Sequence, residues 1–156
     1  GQSFVVRQPV TDDLWRMHLQ GSQSLGIIPI NEENQCVWGC VDIDSYAGFD
    51  HKKLIDKIKN YNLPLVVCRS KSGGAHLFLF TKEPIQAKLM RDKLMEWAGE
   101  LGYANCEIFP KQEYILIERG DTGSFLNLPY HAGDKTTRYA FKDNGEAASL
   151  KEFINK

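Results

Sequence analysis

The order of strand-like and helix-like segments constrains the fold of this chain more than any other feature of its sequence. Between residues 36 and 109, short apolar runs alternate with segments in which apolar residues recur every three or four positions. These segments follow one another as strand, helix, strand, strand, helix and strand. The series predicts a βαββαβ unit, in which helices pack on an antiparallel or mixed sheet.

Local signals mark where the helices begin and end. Thr11 or Asp12 is placed to cap the first helix, because its side chain can accept a hydrogen bond from a backbone N–H. Asp50 is placed to cap the second, and Phe49 before it can pack on Leu54 as a hydrophobic staple. We predict helices at 11–20, at 51–60, between Pro84 and Gly102 and at 150–154, and strands at 25–30, 36–44, 65–69, 76–80, 106–109, 114–117, before Pro129 and at 138–141. The predicted fold class is α+β, with a ferredoxin-like or RNA-recognition-like sheet and a small N-terminal αβ subdomain.

Composition agrees with one globular domain. A length of 156 residues suffices for a sizeable core. Hydrophobic residues make up 42% and charged residues 25%, which excludes a disordered tail, a collagen-like repeat and a coiled coil. No apolar run approaches the ~18–20 residues of a membrane span, and the start lacks a signal-peptide pattern. Since the chain begins with Gly1, we expect 1–156 to be one domain cut from a longer protein, with a possible tag remnant, located in the cytoplasm.

Charge and cysteine content exclude two further classes of protein. The formal net charge of −1 gives no support for a general nucleic-acid coat, so any such contact must come from local clusters. Cys36 and Cys40 are spaced C-x3-C, but no histidine pair follows at zinc-finger spacing. Cys68 and Cys106 lie in apolar runs. All four are expected to be buried, reduced thiols of an intracellular protein.

Two carboxylates alternate along one predicted strand. In Val41-Asp42-Ile43-Asp44, alternation puts both aspartates on one face, with their Cα atoms ~6.5–7 Å apart, and turns Val41 and Ile43 toward the core. Carboxylate oxygens are the ligands that Mg²⁺ and Mn²⁺ prefer. The pair is therefore a candidate metal site, although a D-x-D pattern is unspecific and a solvated strand face is the alternative.

The segment 69–76 has the ingredients of a phosphate-binding loop. Gly73 and Gly74 let the backbone approach an anion closely, and successive loop N–H groups can form an anion-binding nest. Hydroxyl groups, positive charges and a histidine are added by Arg69, Ser70, Lys71, Ser72 and His76. The spacing is not that of a Walker A loop, and an ordinary Ser/Gly hairpin turn is the alternative.

Other candidate residues depend on their combination with these two segments. Glu107 lies in a strand-like run, where a charge needs a partner, and can supply a third carboxylate. Lys111, just past that strand, can reach a phosphate. Asn127 and Tyr130 are candidate base or sugar contacts, and Arg138 a candidate phosphate or template contact. Helix-face or loop positions without chemistry are expected for His18, His51 and His131.

The ordered set of motifs resembles a known superfamily. D-I-D, S-K-S-G-G-A-H-L-F-L-F, E-I-F-P-K-Q and N-L-P-Y follow one another as in archaeo-eukaryotic primases. More narrowly, the chain is similar to the primase-polymerase domains of TOTE conflict systems and to CRISPR-associated primase-polymerases. The resemblance extends from about His18 to Phe153.

The resemblance implies a primase-type catalytic core that makes and extends DNA or RNA primers from NTPs or dNTPs on a DNA template, in a prokaryotic cytoplasm. It implies two Mn²⁺ or Mg²⁺ ions, held by Asp42, Asp44 and Glu107. The implied nucleotide-binding residues are Arg69, Lys71, Ser72, Gly73, Gly74, His76 and Lys111, and those for template, primer or sugar are Asn127, Tyr130 and Arg138. A non-catalytic module that binds single-stranded nucleic acid and a metal-dependent nuclease are the alternatives.

Overall fold

The computed structural model of the chain describes residues 10–44, 49–119, 121 and 123–155. Gly1, on which the expectation of an excised domain rests, lies outside these ranges. Among the described residues, no helix has both the length and the apolar character needed to cross a bilayer.

The elements follow the predicted order up to β5, whereas the predicted strands at 114–117 and 138–141 are absent, and the bounds of several elements differ from the prediction. The helices are α1 (Asp12–Gln20), α2 (His51–Asn60), α3 (Ala87–Glu100) and α4 (Leu150–Ile154). The strands are β1 (Gly26–Ile27), β2 (Gln35–Ile43), β3 (Val66–Arg69), β4 (Ala75–Gln86), β5 (Glu107–Phe109) and β6 (Leu126–Asn127).

A four-stranded sheet positions the rest of the molecule. Its strand order is β3-β4-β2-β5, and every neighbouring pair is antiparallel. Helix α2 connects β2 to β3, and α3 connects β4 to β5. The expected α+β class, with antiparallel strands and packed helices, is confirmed.

The predicted capping residues begin their helices. The Thr11 side chain accepts a hydrogen bond from the N–H of Leu14, and the Asp50 side chain accepts one from the N–H of Lys53. Each contact satisfies a backbone donor that has no partner within the helix. These two helix starts therefore follow from local chemistry alone.

Apolar side chains cover both faces of the sheet. Alternate residues of β2 and β4, such as Val41, Ile43 and Leu77, pack against α2 and α3 in the larger core. The opposite face carries a second core that includes Cys40 and Phe78. The C-terminal part of the chain covers that face with Leu126, Tyr130, Ala140, Ala148 and Phe153.

The expected strand at 114–117 is wrong. A 3-10 turn occupies Ile117–Arg119 instead. The N–H of Ile115 donates to the side chain of Asn34 at 2.7 Å, and the N–H of Leu116 donates to Asp121 at 3.0 Å. Side-chain acceptors therefore take the donors that a strand would offer to a neighbouring strand.

Two other expected strands are shorter than predicted. The segment 138–141 forms only the isolated bridges of Cys68 with Ala140 and of Phe141 with Ala147. Within 25–30, only β1 is a strand, and it pairs antiparallel with β6. The predicted N-terminal αβ subdomain therefore includes a strand from the C-terminal part of the chain.

The close approach of β2 to α3 gives a stability prediction. A Cβ on Gly39 would lie 2.6 Å from Cγ of Met90 and 2.8 Å from Cδ1 of Leu94, whereas one on Gly99 would meet no atom within 4 Å. We expect Gly39→Ala to lower the free energy of unfolding by about 1–3 kcal/mol through overpacking. Gly99→Ala, the control, should leave it unchanged or raise it by up to about 1 kcal/mol. Urea unfolding measures both, and a neutral Gly39→Ala would contradict the packing.

Candidate functional site

A cleft of about 390 Å³ opens on the sheet face that lies opposite α2 and α3. Since Val41 and Ile43 enter the core beneath those helices, the alternating Asp42 faces the other way, into the cleft. The cleft is lined by Asp42, Asp44, Cys68, Arg69, Ser70, Lys71, Ser72, His76, Asn127, Leu128, Pro129 and Arg138. The acidic pair and the segment 69–76, which are distant in sequence, therefore share one cavity.

Strand register aligns chemically active side chains across the sheet. Asp42 lies directly opposite His76 of β4 on one side and Glu107 of β5 on the other. Cys68 of β3 is opposite His76. Directly opposed residues of antiparallel strands project on the same face. The four side chains therefore form one row that crosses all four strands.

His76 and Asp42 are in contact within this row. The Nε2 atom of His76 lies 3.2 Å from Oδ1 of Asp42, and the two side chains are 12% and 23% exposed. Asp44, exposed at the end of β2, lines the same cleft. Asp42 and Asp44 therefore lie on one face as predicted, with His76 beside them.

The loop between β3 and β4 is tight and internally bonded. The N–H of Ser70 donates to the carbonyl of Gly74 at 3.2 Å, and the N–H of Gly73 donates to the carbonyl of Ser70 at 3.0 Å. Gly73 has a φ of +93°, in the left-handed region that glycine adopts without strain. The N–H groups of Lys71 and Ser72 donate to no acceptor in the described part of the chain. The loop can thus offer two backbone donors to an anion.

Positive side chains add to the anion-binding character of the loop. The Arg69 guanidinium donates to the carbonyl of Thr137 at 3.1 Å. Arg138 is 8% exposed and donates to Oγ of Ser24 at 2.9 Å, and burial lowers its pKa. Within the described ranges, no carboxylate lies within 4 Å of the Arg138 guanidinium. A bound anion would supply the countercharge that this buried cation lacks.

A buried histidine holds the part of the cleft wall that contains Pro129. His18 is fully buried, and its Nδ1 accepts from the N–H of Leu25 at 3.0 Å. Its Nε2 therefore carries the proton and donates to the carbonyl of Pro129 at 2.7 Å. His18 lies on a helix as expected, but its contact with the cleft wall was not predicted, because nothing local to residue 18 indicates contact with residue 129.

Glu107 and Lys111 stand outside the cleft. The Glu107 side chain is 60% exposed, and its Oε1 lies 3.4 Å from Nζ of Lys111. The lysine also lies over the ring of Phe109, 5.2 Å from its centroid. Neither residue lines the cleft, so the structure does not gather them with Asp44 and the loop.

The donor chemistry of the acidic pair fits a hard divalent cation. Asp42 and Asp44 present carboxylate oxygens to one solvent-accessible cleft, as Mg²⁺ and Mn²⁺ require. Among the described residues, no three His, Cys, Asp or Glu side chains are grouped closely enough to hold a metal ion. The pair therefore fits such an ion chemically, while the third ligand is not assembled.

The position of Tyr130 is not the one expected for a residue that contacts a sugar. It is 2% exposed, its hydroxyl donates to the carbonyl of Ala148 at 2.8 Å, and it accepts from the N–H of Ala140 at 3.0 Å. Tyr130 does not line the cleft, whereas its near neighbour Asn127 does. The phenol satisfies buried backbone groups, as a buried tyrosine hydroxyl must, and so serves the fold.

The cysteines lie in apolar surroundings. Cys36, Cys40 and Cys68 are buried and Cys106 is half-buried. Burial raises the pKa of the Cys36 thiol to about 11, and burial, followed by the nearby Asp42 carboxylate, raises that of Cys40. These two thiols are therefore protonated at neutral pH and serve packing rather than nucleophilic chemistry.

We expect acid to destabilise the protein through His18. Burial, followed by the neighbouring His131 and Arg138, holds the pKa of His18 below its ordinary value of 6.5. The unfolded chain then takes up the proton first, so stability is complete above about pH 6.5 and is lost as the pH falls below it. The slope per proton is at most about 1.4 kcal/mol per pH unit.

Urea unfolding of the wild type and of His18→Gln between about pH 5 and pH 7 measures this slope. His131, whose pKa is lowered by burial, Arg138 and Lys71, is present in both proteins. The wild type should lose more stability than the variant over this interval. Equal slopes would contradict the assignment.

The chain matches one family model over most of its length. The family is described as TOTE conflict system, Archaeo-Eukaryotic Primase domain, and the match covers residues 5–152. No sequence among the curated proteins matches the chain. The matched range includes the acidic pair, the loop 69–76 and the cleft wall around Pro129, and the resemblance inferred from the motifs is confirmed. The chain therefore belongs to the archaeo-eukaryotic primase domain family of TOTE conflict systems.

Proposed function

We propose that this domain is a primase-polymerase that transfers nucleotides from NTPs or dNTPs to the 3′ end of a primer on a DNA template. The single observation that carries the proposal is the shared cleft of Asp42 and Asp44 with the cationic loop 69–76. Nucleotidyl transfer needs both features together, because a triphosphate must be held while charge develops at its α-phosphate. Membership of the primase family supports the same chemistry.

We also propose that β2 to β5, with α2 and α3, form the RNA-recognition-like plait expected for the catalytic core. The strand order β3-β4-β2-β5 supports this, because each helix crosses between two parallel strands that a third strand separates. In this arrangement the sheet face opposite the helices carries the cleft.

The loop would hold the triphosphate. Lys71 and Ser72 offer backbone N–H groups as well as an ammonium and a hydroxyl group, and Arg69 adds a guanidinium group on the same cleft. Charge-assisted hydrogen bonds to phosphate are stronger than neutral ones. Together these groups would grip the β- and γ-phosphates and leave the α-phosphate toward the aspartates.

His76 would lie at the junction of the two halves of the cleft. Its Nε2 faces Oδ1 of Asp42 at 3.2 Å, and its strand begins directly after the glycine loop. Asp42 would therefore orient the imidazole, much as a carboxylate orients a catalytic histidine elsewhere. We assign His76 to the phosphate site, with Asp42 as its orienting partner when no cation is bound.

The reaction itself is an in-line displacement. The primer 3′-oxygen forms a bond to the α-phosphorus of the incoming nucleotide, its proton passes to solvent or a nearby base, and the bond to the β-phosphate oxygen breaks to release pyrophosphate. Divalent cations held by Asp42 and Asp44, with Glu107 as the third proposed ligand, would supply charge neutralisation and activation of the attacking hydroxyl. The chain's own contribution is positioning and electrostatics.

Glu107 could join the aspartates at low energetic cost. It lies opposite Asp42 in register, and its present partner, Lys111, forms only an exposed ion pair. Exposed pairs of this kind contribute about 0–1 kcal/mol, so a cation between the carboxylates would outweigh the pair. Lys111 would then be released toward a phosphate.

Asn127 and Arg138 are the proposed contacts for sugar, primer or template, since both line the cleft. Asn127 can donate and accept hydrogen bonds, as recognition of a ribose hydroxyl or base edge requires. With a net charge of −1, the protein would bind nucleic acid modestly and in a strongly salt-dependent manner.

We expect Asp42→Asn or Asp44→Asn to reduce primer extension at least about 100-fold. Each change removes a negative charge that holds the divalent cation, and the cation in turn stabilises the charge on the phosphates. The assay uses Mn²⁺, a labelled dNTP and a primed template. Asp92→Asn is the control, since Asp92 is an exposed carboxylate of α3 that pairs with Lys88.

The same assay separates the alternatives. Extension by the wild type and by Asp92→Asn, but not by the cleft variants, supports the proposal. Shortening of the primer indicates a nuclease, and a mobility shift without either change indicates a binding module. Full extension by Asp42→Asn would refute the metal assignment.

We expect Lys71→Ala to raise the KM for the incoming nucleotide about tenfold and to change kcat little, because an exposed phosphate contact contributes mainly to ground-state binding. Lys82→Ala is the matched control. Lys82 is an exposed lysine six residues beyond His76 on β4, ~20 Å along the strand. Steady-state extension at varied dNTP measures both variants, and equal KM values would contradict the role of Lys71.

A further inference from the structure

We propose that His51 is a positioning residue that fixes the 69–76 loop in the conformation that accepts the nucleotide phosphates. The inference rests on the proposed function, since it assigns a supporting residue to the same phosphate site. His51 is the first residue of α2 and does not line the cleft. It would act on the nucleotide only through the loop.

The contact between His51 and the loop is a direct hydrogen bond. Nε2 of His51 lies 2.8 Å from the carbonyl oxygen of Gly74. A carbonyl oxygen can only accept, so Nε2 carries a proton and donates. The same oxygen accepts from the N–H of Ser70 at 3.2 Å. The Gly74 carbonyl thus has two donors, one from the loop itself and one from α2.

Aromatic contacts hold the imidazole in place. The ring stacks on Phe141, with centroids 4.9 Å apart and an interplanar angle of 24°. It also meets Phe49 edge to face, at 4.8 Å and 75°. Phe141 is itself tied to β3, because its N–H donates to the carbonyl of Val67 at 2.8 Å. His51 is therefore a fixed donor whose position is set by the packing around it.

The hydrogen bond from His51 matters because it holds the Gly74 carbonyl in one direction. Gly74 is buried and does not line the cleft, and His51 holds its carbonyl from outside the cleft. The negative end of this peptide dipole is thereby kept off the anion site. Lys71 and Ser72, which do line the cleft, keep their N–H groups available. An anion-binding nest needs both conditions, since a single inward carbonyl would repel phosphate.

Two variants distinguish the contribution of the His51 N–H donor from that of its aromatic ring. His51→Phe keeps an aromatic ring between Phe49 and Phe141 but removes the N–H, and His51→Gln restores a side-chain donor. We expect His51→Phe to raise the KM for dNTP about three- to tenfold with kcat changed less, and His51→Gln to recover part of that loss. Asp50→Ala is the matched control, because it removes the cap of the same helix without touching Gly74.

A nucleotide-free measurement tests the loop directly. Hydrogen exchange of the Ser70 and Gly73 amides, which bond within the loop, should quicken about tenfold in His51→Phe but not in Asp50→Ala. If exchange is unchanged, the inference is overturned whatever the enzyme does. If exchange quickens but KM stays at the wild-type value in an active enzyme, the link to the nucleotide is overturned. Absence of extension by the wild type itself would refute the proposed function instead, and exchange would still decide whether His51 orders the loop.

Discussion

The antiparallel pairing of β2 with β4 and β5 sets the positions of both the larger core and the polar row across the sheet. It places Asp42 between His76 and Glu107 and turns Val41, Ile43 and Leu77 into the core beneath α2 and α3. A slip of one residue would move that apolar set to the opposite face, so burial of the core fixes the register. The alignment of the polar row is thus a consequence of packing on the other side of the sheet.

A second layer turns this polar row into a cleft. The C-terminal part of the chain packs over the second face through Phe78 and its neighbours, and the bond between His18 and the carbonyl of Pro129 fixes the wall. Acidic groups lie at the end of β2, while cations lie on the loop after β3 and on Arg138. This separation of charge agrees with the proposed binding of a nucleoside triphosphate, whose anionic phosphates are accompanied by a divalent cation.

Where local chemistry decides the structure, the sequence was a sufficient guide. The α2 helix begins at Asp50 because a carboxylate there accepts the hydrogen bond of a backbone N–H, and period-two alternation correctly put Asp42 and Asp44 on one face. The strand prediction at 114–117 was wrong because the side chains of Asn34 and Asp121, which lie outside this segment, accept hydrogen bonds from its backbone N–H groups. Tyr130 was expected to contact a sugar, but its hydroxyl is bonded to the backbone of Ala140 and Ala148, in a later segment that no local pattern links to residue 130.

Residues close together in the chain were enough to predict the order of the elements up to β5, the two helix caps and the motif set, and through that set the family. The contacts between distant residues became visible only in the fold: His76 contacts Asp42, Glu107 lies opposite Asp42, and His18 and His51 hold the wall and the loop. These residues are far apart in the chain, and only strand register and the packing of the two cores bring them into contact. No local propensity encodes a distance of that kind.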